Sequence, residues 1–391
     1  MDVGFPRCRI RRLAQFSDLC GSQFVNTANI TRLSLFLDCD AVEFQLPELQ
    51  RFYNLTHLDC PGCTVPMEAF ESLNLTELNC KKCKVFGNGC FDTLATLTTL
   101  NCSECQPLAN GCFDQLVNLT QLNCQQCDEL TDGCFDRLCN LTHLDCRSCF
   151  GLERKCFDNL VALTWLDCAN YDENVTSQLA NGCFDKLVNL TFLNCSGCEF
   201  LTTGCFDSLH QLRTLDCSRC CDLTDGCFDK LENLTTLNCS GCVSLTTGCF
   251  DKLVDLTSLD CASCVHISNG CFDALVNLTR LSCWGCERLL CGCFDKLGKL
   301  TVLECCGCER LVNFCFNNLT SLTSLDCSQC YNLANGCFDK LTSLTELDCS
   351  GIYRLTNGCL DNLQNLKTVR CFRSGIDSQY VQRRLRACRK K

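Results

Sequence analysis

Histidine is scarce in this 391-residue chain, with only His57, His143, His210 and His266. None belongs to a recognisable local motif, so nucleophilic catalysis, which needs a base beside a nucleophile, finds little support. No Gly-Lys-Ser/Thr phosphate loop and no Gly-x-Gly-x-x-Gly turn occurs. No apolar run is long enough to span a bilayer. The opening Met-Asp-Val-Gly-Phe-Pro-Arg-Cys-Arg-Ile-Arg-Arg lacks the apolar stretch of a secretion signal. These absences set the first expectations: no enzyme, no cofactor, and an intracellular protein of cytoplasm or nucleus.

Cysteine is what the chain has in excess: 48 residues, a level of about 12% that often marks a secreted disulfide scaffold. Here the cysteines recur at fixed places where aliphatic residues would stand, so reduced structural thiols are the better expectation. The organising unit is Asn233-Leu-Thr-Thr-Leu-Asn-Cys-Ser-Gly-Cys-Val-Ser-Leu-Thr-Thr-Gly-Cys-Phe-Asp-Lys-Leu-Val254. Its Leu-x-Cys landmark returns fifteen times between Cys60 and Cys371, and twelve of the fourteen steps are 22 residues, with one of 20 and one of 27. Such a period marks a solenoid of stacked coils.

The general unit reads L-x-x-L-x-C-x-x-C-x-x-L-x-x-G-C-F-D-x-L-x-N, with positions numbered 1 to 22. Its first third alternates as a short strand does, with positions 4 and 6 turned inward and 3, 5 and 7 outward. Glycine at position 15, as at Gly226 and Gly248, permits the turn that follows. Phe at 17 and Leu at 20 suit one turn of 3₁₀ or irregular helix. Phe residues at that place, from Phe91 to Phe338, are expected to stack as a spine.

From Leu55 to about Phe372 this pattern resembles the leucine-rich-repeat family, L-x-x-L-x-L-x-x-N/C-x-L, with Cys at the third aliphatic place and at the Asn/Cys place. The next Leu falls one residue later than in that consensus. The run Cys220–Gly226 is similar to the cysteine-containing subclass common in F-box substrate receptors, whereas Gly-Cys-Phe-Asp-Lys-Leu is similar to the outer half of ordinary repeats. The resemblance implies an α/β-type repeat solenoid: a leucine-rich-repeat arc with a parallel β-sheet on its inner face and short 3₁₀ or irregular segments outside. It also implies a non-enzymatic scaffold for protein–protein interaction.

Three regions are expected: an N-terminal cap at 1–52 with one degenerate repeat near Ile30–Leu35, about fifteen repeats over 53–375, and a basic capping helix at 376–391. Val381, Leu385 and Cys388 recur at helical spacing there, and Asp377 or Ser378 suits the helix start. Two other readings stand beside the scaffold. Twelve Cys-x-x-Cys pairs, such as Cys239/Cys242, have metal-ligand spacing and allow a metal- or redox-responsive thiol protein. That spacing is also simply consensus positions 6 and 9, both interior, so metal-free structural thiols are expected. The subclass resemblance suggests a ubiquitin-ligase substrate-receptor-like adaptor, but residues 1–52 hold no convincing F-box. Thirteen Asn-x-Ser/Thr sequons follow mostly from the Asn-Leu-Thr step between repeats and are read as unglycosylated.

Charge is uneven. Of the net −11, residues from Lys367 onward carry +8 and the repeat array −19. A protein partner with a basic surface is expected, rather than nucleic acid or membrane, for a monomeric chain. Position 3, the free outward place, is mostly small or polar but reads His143, Trp165, Phe192 in three consecutive repeats. Asp145 and Asp167 flank these rings at position 5. The one long repeat falls beside them, in Ala169–Gln178, and brings Tyr171, Asp172 and Glu173. Insertions in solenoids emerge as surface loops, often on a binding face. A second, weaker cluster is Arg280, Trp284 and Val302. These residues form the candidate partner-binding surface.

Overall fold

Each Leu-x-x-Leu-x-Cys step folds as a three-residue strand whose central Leu is turned inward and whose flanking residues face out. The computed structural model describes residues 7–10, 27–35, 49–63, 70–71, 73–83, 89–172 and 174–388, and its two compact units divide after Cys198. The first unit holds β1 (Arg7–Ile10), β2 (Arg32–Leu35), β3 (His57–Asp59), β4 (Glu77–Asn79), β5 (Thr99–Asn101), β6 (Gln121–Asn123), β7 (His143–Asp145), β8 (Trp165–Asp167) and β9 (Phe192–Asn194). The second holds β10 (Thr214–Asp216), β11 (Thr236–Asn238), β12 (Ser258–Asp260), β13 (Arg280–Ser282), β14 (Val302–Glu304), β15 (Ser324–Asp326), β16 (Glu346–Asp348), β17 (Thr368–Arg370) and the helix α1 (Ser378–Cys388).

In both units consecutive strands pair parallel and in register, so equivalent positions stack: His57 opposite Glu77 and then Thr99, Thr214 opposite Thr236 and then Ser258. Each unit is thus a repeat solenoid with a parallel sheet on one side. The return path is built from tight turns rather than helix. In one coil Asp229 N donates to Gly226 O at 3.2 Å, Leu231 N to Phe228 O at 3.0 Å and Leu234 N to Leu231 O at 3.0 Å. Gly226 opens that series at φ 87°, a left-handed setting that glycine adopts without steric cost.

Between sheet and turns lies a core of leucine, phenylalanine and cysteine. The position-17 rings stack along each unit, Phe91 through Phe184 in the first and Phe206 through Phe316 in the second, at centroid spacings of 6.2 to 6.4 Å. All are fully buried, as is Phe338. The thiols of positions 6 and 9 join neighbouring coils. Cys242 Sγ donates to Cys217 O at 3.1 Å and Cys83 Sγ to Cys60 O at 3.1 Å, while Cys261 Sγ donates forward to Ser282 O at 3.5 Å. The third cysteine ladder, at position 16, is also buried, and burial pushes the Cys90 thiol up to about 12. Thiols held this way are weak nucleophiles and weak metal ligands.

Two polar ladders complete the coil-to-coil contacts. Position-2 hydroxyls donate to the preceding coil, as Thr235 Oγ1 does to Arg213 O at 3.0 Å. The Asn of the Asn-Leu-Thr step donates from its side chain, Asn233 Nδ2 to His210 O at 2.8 Å and Asn277 Nδ2 to Val254 O at 3.1 Å. The sequon asparagines at that step are therefore part of the stacking device, as an unpaired backbone carbonyl would be costly there.

The helix α1 begins where Asp377 Oδ1 accepts from Gln379 N at 2.6 Å. It lies against the last turns of its unit. Tyr380 OH donates to Asp361 Oδ1 at 2.8 Å, Arg384 Nη2 donates to Leu360 O at 3.1 Å and Asp361 O at 2.9 Å, and Cys388 Sγ donates to Leu363 O at 3.3 Å. Ile376, just before the helix, and Val381, within it, are buried.

Candidate protein-interaction site

Three adjacent strands of the first unit carry His143, Trp165 and Phe192 in register on the open face of the sheet. Leu144, Leu166 and Leu193, one residue on, are fully buried behind them. The rings stack on one another: Trp165 and Phe192 at 5.0 Å with planes 9° apart, His143 and Trp165 at 6.3 Å and 21°. Parallel strands set side chains roughly 5 Å apart, so the ladder itself imposes this spacing. Trp165 and Phe192 are half-buried and His143 is exposed.

Beside the rings lies an ionic cluster anchored by a residue that position 3 alone does not reveal. Arg147, at position 7, donates to the Asp145 carboxylate from Nε at 2.8 Å and from Nη2 at 2.7 Å, and its Nε lies 3.6 Å from Asp167 Oδ2. This fork-shaped pairing fixes both side chains. Asp145 also accepts from Asn123 Nδ2 at 3.1 Å. Asp167 is buried, and desolvation pushes its carboxyl up to about 6, even though the Ala169 backbone N–H and Arg147 both favour the ionised form.

The insertion folds onto this face. Asn170 N donates to Ser196 O at 2.8 Å, its side chain donates to Val175 O, and its Oδ1 accepts from Asp172 N at 3.0 Å. Gly197 sits at φ 73°, where a Cβ would fall 2.2 Å from Asn170 O, so the loop can lie this close only over glycine. Asn194 Nδ2 donates to the Tyr171 hydroxyl at 3.2 Å, which ties the loop to the strand that carries Phe192. Tyr171 stays 53% exposed. It lines, with Asp172, Asn174, Phe150, Asp128 and Glu104, a depression of about 750 Å³. Glu173 lies outside the described residues.

Of the sequence-derived candidates, His143, Trp165, Phe192, Asp145, Asp167, Tyr171 and Asp172 thus come together in the first unit. Asn194 and Arg147 join them. Both were readable: positions 5 and 7 face the same way as position 3, and Arg147 stands where Ser or Ala is common. The second cluster belongs to the second unit. Arg280 on β13 is exposed, Trp284 is 51% exposed, and Val302 pairs opposite Arg280 on β14. No side-chain hydrogen bond, ion pair or ring contact joins Arg280 to Trp284. Among the described residues no three His, Cys, Asp or Glu side chains converge as a metal site, and no helix is long and apolar enough to cross a membrane.

The profile of the BspA type leucine rich repeat region, six copies long, matches residues 50–164, 151–279 and 266–379. The chain belongs to this family. Its in-register strands, buried leucines and stacked coils are those of a leucine-rich-repeat protein, a fold whose extended sheet faces serve as interaction scaffolds. Solved structures agree on the fold. A leucine-rich-repeat protein of Leptospira interrogans is 19% identical with a TM-score of 0.72, over 97% of this chain and 98% of that one. The functional domain of InlJ from Listeria monocytogenes, which includes a cysteine ladder, is 17% identical with a TM-score of 0.55, over 88% of this chain and 71% of that one. TLR13, in its complex with ssRNA13, is 21% identical with a TM-score of 0.62, over 90% of this chain and 60% of that one. No curated protein sequence matches the chain.

Proposed function

We propose that this leucine-rich-repeat protein is a non-enzymatic scaffold whose first unit docks a protein partner across Trp165 and Phe192. The observation that carries the reading is the ring pair itself, stacked at 5.0 Å on two strands whose next residues are fully buried. Large rings held rigidly on a sheet lose little conformational freedom on binding, which is the property of an interface anchor. Asp128 and Asp172 at the neighbouring depression favour a partner with a basic surface. A monomeric chain in the reducing setting of cytoplasm or nucleus belongs to the same proposal, because thiols that donate hydrogen bonds from the core must stay reduced to do so.

The test uses the full chain as bait, purifies each basic protein recovered, and measures its affinity by calorimetry for wild type and for the Trp165→Ser/Phe192→Ser variant. Loss of two anchors of about 2 kcal/mol each should weaken the genuine complex by roughly 10³-fold. Equal affinities would move the binding face elsewhere. A double variant that melts well below wild type would make the rings part of the core and overturn their outward assignment.

A further inference from the structure

Most described cysteines are buried, but Cys139, Cys221 and Cys291 are exposed. Cys291 also breaks a pattern. It holds position 14, where neighbouring coils carry Asn269, Asn313 and Asn335. Those asparagines clamp the next coil. Asn269 accepts from Leu290 N at 2.8 Å and donates to Cys291 O at 3.1 Å, and Asn313 accepts from Ala334 N at 2.8 Å and donates to Asn335 O at 3.1 Å. Cys291 keeps only a weak form of the donor half, Sγ to Asn313 O at 3.8 Å. The backbone N–H left over, that of Val312, turns to the sulfur of Cys315 at 3.3 Å. The exposed Cys291 and the buried position-16 Cys315 thus both bond the same short stretch of backbone, one at Asn313 O and the other at Val312 N. Just before Cys315, Phe314 takes the place of the usual glycine at φ 79°, a setting an aromatic residue adopts only under strain, and stands 67% exposed.

We propose that Cys291 and Cys315 form a peroxide-responsive thiol pair that closes to a disulfide between adjacent coils. The oxidant is a hydroperoxide. The Cys291 sulfur attacks its terminal oxygen, the O–O bond breaks, an alcohol or water leaves, and Cys291 becomes a sulfenic acid. The Cys315 sulfur then attacks the Cys291 sulfur and water departs. Two thiol hydrogens and one peroxide oxygen are thereby balanced as one disulfide and one water. Exposure assigns Cys291 to meet the oxidant. Burial pushes the Cys315 thiol up to about 12, so little of it is thiolate and its attack is the slower, second step. The exposed Cys221 has another setting, with its Sγ directed to Arg219 O at 3.5 Å and Gly241 O at 3.9 Å.

The experiment treats the reduced full-length chain with stepwise hydrogen peroxide, blocks remaining thiols, and maps linked peptides by mass spectrometry without reduction. The first product should lose two thiols per chain and join Cys291 to Cys315. Cys315→Ser should leave Cys291 as a sulfenic acid captured by dimedone. Cys291→Asn, which installs the residue of the neighbouring coils, should keep the melting temperature and abolish the early product. A first linkage at any other pair, including Cys291 to Cys293 or to a second chain, would overturn the proposal. So would an unchanged rate of thiol loss in folded Cys291→Asn.

Discussion

Asp167 shows how one buried carboxyl can set a pH dependence. Its folded value of about 6 lies above the ordinary carboxylate range, and burial is the first cause. The folded chain therefore holds a proton there that the unfolded chain has released, over the interval from about pH 4 to about pH 6. The stability this provides is complete below that interval and lost as pH rises through 6. Melting should thus occur at higher temperature at pH 5 than at pH 7 through this group. Asp167→Asn should remove that difference and raise stability at pH 7 by about 1–3 kcal/mol. Asparagine is the residue of β9 and β11 at the same place, and Asn238 Nδ2 donates to Asp216 Oδ2 at 2.9 Å, so the side chain fits the ladder. A variant whose melting keeps the wild-type pH profile would assign the dependence to another group.

At the scale of the element, the insertion is a loop added to a coil that is otherwise complete. Cys168 N still donates to Asn194 O at 2.8 Å and Cys198 Sγ to Cys168 O at 3.7 Å. Deleting 171–175 restores the 22-residue step and should change the melting temperature by a few degrees at most, about 1 kcal/mol. It should also remove the Tyr171 contact to Asn194 and alter partner binding, which calorimetry reads directly. A collapse in stability would show that the loop supports the sheet. The existence and side of this loop were legible because the period lengthens between Cys168 and Cys195 while both landmarks persist. Its path was not. The inward turn of Asn170 to Val175 O and the close approach over Gly197 depend on three-dimensional packing that no spacing encodes. The strands were legible for the opposite reason: Leu at position 4 and Cys at position 6 repeat so strictly that one residue of slip would turn every leucine outward.

For the whole molecule, the period crosses Cys198 without change, so nothing in the repeat marks where the two compact units divide. The end of the second unit is better defined. We propose that α1 caps it, because Arg384, Tyr380 and Cys388 take up backbone and side-chain acceptors of Leu360, Asp361 and Leu363. Removing residues 376–391 should lower the melting temperature and produce aggregates in light scattering, since it uncovers core edge and unpaired strand edge. A truncated chain that stays monomeric with unchanged melting would leave the basic tail with another purpose.

The strand register described for each unit has a mechanical consequence. Among the described residues, each inner strand of a unit pairs with the strand before and the strand after it. A pull along the chain therefore loads one interface at a time instead of the whole sheet. The coils would peel from a free end in succession, most of them surrendering 22 residues, or roughly 70–80 Å of extended chain. Such a protein yields gradually under tension, like a spring that lengthens by whole turns.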